Sequence, residues 1–393
     1  MQSFTYYSPT KVIFGKGAEE QAAQQVRAFG GSRVLLVYGG GSVVKSGLLA
    51  RMEASLADTG LPVRTLGGVQ PNPRLGLARQ GVQEALDFGA DFILAVGGGS
   101  VIDTAKAIAH GAANPGTDIW AYWEGEKPLE KSLPVGVVLT ISAAGSETSD
   151  SAVLTNEQTG VKRGLSTPFN RPRFAAMNPE LTYTLPPYQI ACGVVDIMMH
   201  TLDRYFTPTQ GNETTDALAE ALLATVIRNG RKAMADSHDY GAMSELMWCG
   251  SLSHNDLTGL GAVKDFVPHK LGHELSARFD VAHGASLAAV WGSWAQYSWK
   301  AHPERFVRYA RKVWGIEGAD CDQVALEGIA ATVAYFKSLG MPTCLSELGI
   351  GVQPEAVLEA MANQATRGGA IRLGSFCPLD QEGALAVYRL ANR

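Results

Sequence analysis

Three of the chain's eight histidines, His269, His273 and His283, fall in one short segment, HKLGHELSARFDVAHG (269–284). Upstream, GVVDIMMHTLDRYF (193–206) is helical in pattern, and its Asp196 and His200 stand four apart. That spacing puts both on one helix face, one turn from each other, as two ligands of a metal half-site. His269 and His273 repeat the four-residue spacing, and His283 follows across the expected end of their helix. A lone histidine on an apolar face ordinarily packs as a core residue. An Asp/His pair, a second helical pair and a further histidine point instead to a divalent-metal centre that needs three or four of the five. One carboxylate with imidazoles and no thiolate suits Fe(II), Zn(II) or a similar ion. Cys192, four residues before Asp196 on the same face, would add a soft ligand but reads as a packed core thiol.

Two further segments carry a different chemistry. VYGGGSVVKSG (37–47) and VGGGSVIDTAKAIAHG (96–111) each run from an apolar stretch into a glycine triplet. Glycines there let the backbone approach a ligand, and the free amides of a following helix N-terminus favour a phosphate. Neither segment is the Gly-x-Gly-x-x-Gly fingerprint, so a standard Rossmann assignment is not supported. Ser100 is placed to cap the second helix, with Asp103 three positions on in a capping-box-like arrangement that serves structure as well as it serves a ligand. TISAAGSETSDSAVLT (140–155) opens a strand into small and hydroxyl-bearing residues, which reads as a polar loop or as a set of hydrogen-bond donors. PNPR (71–74) holds Asn72 between two prolines in a rigid turn.

The elements that must position these residues change character along the chain. The first half alternates short apolar strands, SRVLLVY (32–38), FILAVGG (92–98) and LPVGVVLTIS (133–142), with amphipathic segments such as RLGLARQGVQEALDFG. This predicts a parallel sheet covered by helices. At LTYTLPPYQ (181–189) adjacent prolines interrupt the pattern, and long helical periods follow. The expected organisation is an α/β dinucleotide-binding domain over 1–187 and an all-helical metal and substrate domain over 188–393. No internal repeat or low-complexity tract suggests a solenoid or a disordered tail. With 18% charged residues and a net charge of −5, the chain offers no electrostatic reason to bind nucleic acid or an anionic membrane. No apolar stretch approaches the roughly 20 residues that span a bilayer. The opening MQSFTYYSPTKVIFGKG lacks a basic segment followed by an apolar run, so a cytoplasmic location is expected. The five cysteines are scattered, never Cys-x-x-Cys, and are read as buried small side chains in a reducing compartment.

On GGGSVIDTAK, GVVDIMMH, HKLGHELSARFDVAHG and the boundary segment MNPELTYTLPP, the chain resembles the iron-containing (group III) alcohol dehydrogenases from end to end. The nearest branch is that of the NADPH-dependent aldehyde reductases and butanol dehydrogenases. The resemblance implies hydride transfer between NADP(H) and a small primary alcohol or aldehyde, one divalent ion (Zn2+ or Fe2+) and a homodimer. Carried over by position, Asp196, His200, His269 and His283 would hold the metal, and His273 would face the nicotinamide and substrate. Gly97, Gly98, Gly99, Ser100 and Asp103 would surround the pyrophosphate, Thr140, Ile141 and Lys162 would line the rest, and Asn72 would lie near the nucleotide end. NAD-preferring members of the family place an acidic residue at the end of the strand that SRVLLVY matches. Here Gly39, Gly40, Gly41 and Ser42 follow instead, with Lys45 close by, so NADP(H) is expected to be preferred over NAD(H). The competing reading is an enzyme of the same architecture acting on a polyol or an anion, glycerol dehydrogenase-like or dehydroquinate synthase-like. The latter needs a strongly basic pocket, and segment 269–284 contributes only Lys270 and Arg278.

Overall fold

A computed structural model describes residues 1–393, which divide into two units, Tyr7–Leu185 and Met1–Tyr6 with Pro186–Arg393. In the first unit the strands are β1 (Lys11–Phe14), β2 (Val34–Tyr38), β3 (Val63–Leu66), β4 (Phe92–Gly97), β5 (Val135–Leu139), β6 (Ser151–Asn156), β7 (Val161–Ser166) and β8 (Phe174–Met177). Its helices are α1 (Ala22–Ala28), α2 (Gly41–Lys45), α3 (Leu48–Asp58), α4 (Leu75–Phe88), α5 (Gly99–Ala113) and α6 (Trp120–Glu124). Six strands form a parallel sheet in the order β1-β8-β5-β4-β2-β3.

The central strands VLLVY, FILAVG and VGVVL are apolar without alternation because helices cover both faces of a parallel sheet. On one face Val34, Leu36, Leu94 and Val96 pack with Met52 and Leu56 of α3. A second cluster joins Leu75 and Ala78 of α4 to Ala107, Trp120, Trp123 and Leu154. The stretch 140–155 is a loop only as far as Asp150. From Ser151 it becomes β6, antiparallel to β7, because Ala152 and Leu154 alternate inward against the tryptophans of α6. The chain passes from β2 to β3 on one side and then returns to β4 on the other. The β2/β4 gap is therefore where the winding reverses, the place at which open α/β sheets bind ligands beyond their carboxyl ends.

The second unit is helical: α7 (Pro187–Tyr205), α8 (Glu213–Ala235), α9 (Tyr240–His254), α10 (Val267–Phe279), α11 (His283–Ser298), α12 (Pro303–Trp314), α13 (Cys321–Ser338), α14 (Glu355–Ala365) and α15 (Gln381–Ala391). The paired prolines that end the first pattern start α7, where Pro187 takes a first-turn position that needs no amide hydrogen. From Gly193 to Tyr205 every residue of α7 is buried, so this helix is the axis of the unit. Around it Phe206, Trp294, Phe306 and Phe376 form an aromatic core, with the Phe206 and Phe306 rings stacked at 4.3 Å.

Two expectations are corrected here. Met1–Tyr6 belongs with the helices rather than with the sheet, since the Gln2 amide donates to the Gly261 carbonyl at 2.9 Å. That pairing joins positions 2 and 261, which no local pattern announces. Among the cysteines, Cys249 and Cys344 are buried and Cys192 and Cys377 half-buried, but Cys321, at the first position of α13, is exposed.

Candidate functional site

Asp196 and His200 lie one turn apart on the buried axis helix α7, as their spacing predicts. The α10 helix brings His269 to them, and α11 brings His283 as its first residue. Asp196 Oδ1 is 3.2 Å from His200 Nδ1, 3.8 Å from His269 Nε2 and 3.7 Å from His283 Nε2. One ligand-type atom from each of Asp196, His200 and His269 falls within 4.8 Å of the others. These three are buried, whereas the His283 side chain is 26% exposed. His273, one turn on from His269, is half-buried, with its ring centre 6.3 Å from that of His269 and 5.3 Å from that of His283. Neither His273 nor His283 is in the group of three whose ligand-type atoms lie within 4.8 Å of one another.

Local geometry explains why α10 and α11 converge on α7. The Asp265 carboxylate accepts the Val267 amide at 3.2 Å and the Ser375 and Phe376 amides at 2.8 Å each, which anchors the start of α10. Burial pushes that carboxyl up to about 6. Phe266, before the first turn, and Asp280, after the last, are both left-handed, which confines α10 between two sharp turns. Gly284 then lets the start of α11 lie directly on α7: a Cβ at this position would sit 2.2 Å from the Cys192 carbonyl oxygen.

The residues fit a divalent metal. Asp196 Oδ1 and His269 Nε2 are buried and make no hydrogen bond. Each such orphan costs roughly 1–3 kcal/mol unless something compensates it, and a cation between a carboxylate and imidazoles satisfies both. Burial would raise the Asp196 carboxyl, but the His200 and His283 imidazoles outweigh it and hold the group well below its ordinary value. Burial would lower His269, but the Asp203 and Asp196 carboxylates overcome it and raise the imidazole to about 9. Cys192 is pushed up to about 12, by burial above all, and its sulfur lies 3.9 Å from that of Met341. It is a thiol at neutral pH, and the ligand set keeps its nitrogen and oxygen character.

Two residues at the cluster escape the sequence reading. Asp203, on α7, accepts a hydrogen bond from His269 Nδ1. His254, the last residue of α9, has its ring 3.9 Å from that of His200. Asp203 was within reach, because it follows Asp196 by seven residues and so continues the Asp196–His200 stripe for another turn. His254 stands in GSLSHNDLTG (250–259), with no spacing relation to any other candidate.

In the sheet unit both glycine turns emerge at the carboxyl ends of neighbouring strands, since β2 and β4 pair through Tyr38 and Val96. After β2, Gly39 and Gly40 lead into α2, which starts at Gly41 and carries Ser42 in its first turn. After β4, Gly98 precedes α5, which starts at Gly99. The two triplets differ in purpose. A Cβ on Gly39 would meet nothing nearer than 3.4 Å and one on Gly40 nothing at all, so that turn is open. A Cβ on Gly98 would lie 2.1 Å from the Ile141 Cγ2. The Thr140 amide donates to the Gly97 carbonyl at 3.2 Å, so Gly97 and Gly98 pack against Thr140 and Ile141, while a Cβ on Gly99 would lie 3.1 Å from the Ala144 Cβ.

The capping expectation at Ser100 does not hold: the cap position is Gly98 and no side chain caps α5. Asp103 instead reaches across to the polar loop. Its Oδ1 accepts the Ser146 hydroxyl at 2.6 Å and its Oδ2 accepts the Val153 amide at 2.9 Å. Burial raises its pKa. Lys106, fully buried, donates to the Ser146 and Ser151 carbonyls at 2.8 and 2.7 Å. Asn72, left-handed and buried, accepts from the Lys162 ammonium at 2.8 Å, so those two candidates are paired with each other.

This arrangement agrees with what the chain is similar to. Residues 9–179 match the family described as iron-containing alcohol dehydrogenase, and residues 190–392 match the C-terminal part of the Fe-containing alcohol dehydrogenase family. The NADH-dependent butanol dehydrogenase A of Clostridium acetobutylicum is 40% identical over 391 residues, 99% of each chain. The NADPH-dependent aldehyde reductase YqhD of Escherichia coli (strain K12) is 35% identical over 394 residues, 100% of each. The crystal structure of an NADH-dependent butanol dehydrogenase A from Thermotoga maritima superposes with a TM-score of 0.96 at 33% identity, covering 100% of this chain and 99% of that one. With both halves matched, relatives aligned from end to end and an Asp/His cluster on the helical unit, the chain belongs to the iron-containing alcohol dehydrogenase family.

Proposed function

We propose that this chain is a metal-dependent alcohol dehydrogenase and aldehyde reductase that interconverts a small aldehyde and its primary alcohol with NADP(H). The observation that carries the reading is the convergence of Asp196, His200, His269 and His283, with buried ligand atoms on Asp196 and His269 that nothing in the protein satisfies. These four would hold one divalent ion, zinc or iron. When bound, that ion supplies Lewis-acid polarisation of a carbonyl oxygen, and a bound nicotinamide supplies the hydride.

The remaining work falls to the chain's own groups. The backbone amides at Gly97, Gly98, Gly99 and Ser100 would take the pyrophosphate at the start of α5, where the helix dipole favours an anion. Thr140, Ile141, Asn72 and Lys162 would extend that surface, and Asp103 braces the polar loop beside it. His273 would exchange a proton with solvent beside the cluster, as an imidazole does near neutrality.

Relatives divide on the cofactor, with an NADH-dependent butanol dehydrogenase and an NADPH-dependent aldehyde reductase among them. The preference for NADP(H) rests on the open turn at Gly39, Gly40, Gly41 and Ser42, which offers no carboxylate to repel a 2′-phosphate. Lys45 supports it further, since its Cε lies 3.4 Å and its ammonium nitrogen 3.9 Å from a Cβ built on Gly41. A homodimer is favoured by β1, an edge strand whose last residue, Phe14, is 42% exposed and which is preceded by Tyr7, 54% exposed. No helix is long and apolar enough to cross a membrane, and we place the enzyme in the cytoplasm.

The test is NADPH oxidation with butanal after reconstitution with zinc or iron. Turnover should require the metal, His269→Ala should lose both metal and activity, and His273→Ala should keep the metal while kcat falls by about 10²–10⁴-fold. Full metal occupancy in His269→Ala would overturn the ligand assignment. Metal loss in His273→Ala in step with activity would make that residue a ligand.

A further inference from the structure

The axis helix carries a third acidic or imidazole group on the face that holds Asp196 and His200. Asp203 lies two turns beyond Asp196 and is 1% exposed. Its Oδ2 accepts the hydrogen bond of His269 Nδ1, and its Oδ1 makes none. An imidazole presents two nitrogens, and the bond made by one decides which protonation form the other offers. With Asp203 accepting from Nδ1, Nε2 is the nitrogen left facing Asp196 Oδ1, 3.8 Å away, and it offers a lone pair once a cation displaces its proton. The ring is also fenced. Phe266 lies 5.3 Å from the His269 ring, and the Arg204 guanidinium lies 4.9 Å from the centre of the Phe266 ring. The Asp203 backbone is itself tied to the base of α10, because its carbonyl accepts the Asp265 amide at 2.9 Å.

We propose that Asp203 is a positioning residue for the metal centre: it fixes the orientation and tautomer of His269, so that Nε2 faces the ion with its lone pair. The inference rests on the reading of Asp196, His200, His269 and His283 as metal ligands. It goes beyond that reading in assigning a separate, ion-dependent role to a carboxylate that does not touch the ion. The alternative is a plain structural pair joining α7 to α10, which would serve the apo protein as much as the loaded one.

The two roles separate in metal binding measured without turnover. Apo wild type, Asp203→Asn and Asp203→Ser are titrated with Co2+ against a chelator, following the visible absorption of the bound cobalt. The melting temperature of each apo protein is recorded beside it. Asp203→Asn keeps the shape but lacks the charge, and its amide can turn an N–H toward Nδ1, so the Nδ1–H tautomer is no longer enforced; Asp203→Ser serves the same comparison should the Asn protein not fold. The expected result is cobalt affinity lower by about 10–100-fold, with an altered cobalt spectrum and an apo melting temperature within a few degrees of wild type. Unchanged affinity and spectrum would overturn the proposal, as would a loss of affinity accompanied by an equally marked loss of apo stability. Asp196→Ala distinguishes failure of the underlying reading: if wild type binds cobalt no better than that variant, the metal centre itself is misplaced and this role falls with it.

Discussion

Replacing Gly284 with alanine tests whether the contact between α11 and α7 sets the geometry of the candidate metal centre. By helix propensity alone the change should help, since alanine is favoured over glycine by roughly 0.5–1 kcal/mol within a helix. The structure argues the reverse. The added Cβ would lie 2.2 Å from the Cys192 oxygen, 2.7 Å from its carbonyl carbon and 2.8 Å from its Cα. All three are backbone atoms, so no rotamer change relieves the overlap. Carbon–oxygen contacts settle at about 3.3–3.6 Å, and the two helices must therefore separate by roughly 1 Å. Overpacking of this kind costs about 1–3 kcal/mol, which after the propensity gain leaves a net loss centred on about 1 kcal/mol and reaching about 2.5 kcal/mol. In a unit of this size each kcal/mol lost lowers the melting temperature by roughly 2–4 °C. The same displacement carries His283, the preceding residue, away from Asp196, from which its Nε2 now stands at 3.7 Å. Metal–ligand distances tolerate only about 0.2 Å, so affinity for zinc or cobalt should fall together with stability. Thermal denaturation of the apo protein and competitive metal titration read the two effects separately. A Gly284→Ala protein that melts higher than wild type and binds metal equally well would refute the reasoning.

Three further outcomes follow from the sheet unit. Lys106→Met removes the ammonium 4.0 Å from Asp103 and leaves that carboxylate and the Ser146 and Ser151 carbonyls without their buried partner. It should destabilise by about 3–5 kcal/mol, and a urea midpoint unchanged from wild type would contradict this. His110 is completely buried between Ser132 and Asn170, and burial pushes its imidazole down to about 4 from an ordinary 6.5. Between those values the unfolded chain takes up a proton that the folded chain refuses. Stability is therefore full above pH 6.5 and declines as pH falls toward 4, by about 3 kcal/mol. Urea midpoints measured across that range should show the decline, and His110→Gln should flatten it. Gly39→Asp fits without collision, its Cβ meeting Val101 Cγ2 at 3.4 Å and the Val69 carbonyl at 3.6 Å. Wild type should favour NADPH over NADH by at least about tenfold in kcat/KM, about 1.4 kcal/mol, and the substitution should shrink or invert that ratio mainly through KM. Equal efficiencies in the wild type would defeat the preference.

The sequence by itself determined what depends on short windows. Helical period put Asp196 and His200 on one face of α7, and the runs VLLVY, FILAVG and VGVVL predicted a sheet covered on both sides. The glycine triplets marked strand ends, and the paired prolines marked the change to helices. These signals survive in isolation because backbone geometry repeats every two or 3.6 residues, and each element sorts its own side chains by hydrophobicity. Tertiary structure decided which polar atoms meet. Nothing local says that His283 must reach Asp196, since the approach depends on Gly284 seating α11 against Cys192. Ser100 and Asp103 fit a capping box on spacing, yet Asp103 is drawn to Ser146 and Val153, groups brought beside α5 only when β6 docks. Met1–Tyr6 adjoins the sheet in sequence and belongs to the helices in space. Asp203 shows both levels at once: its place on the face is periodic, but its partner lies 66 residues away on another helix. Hydrophobic burial fixes how elements stack. Only that stacking brings distant carboxylates, imidazoles and amides within the 3–4 Å at which they act on one another.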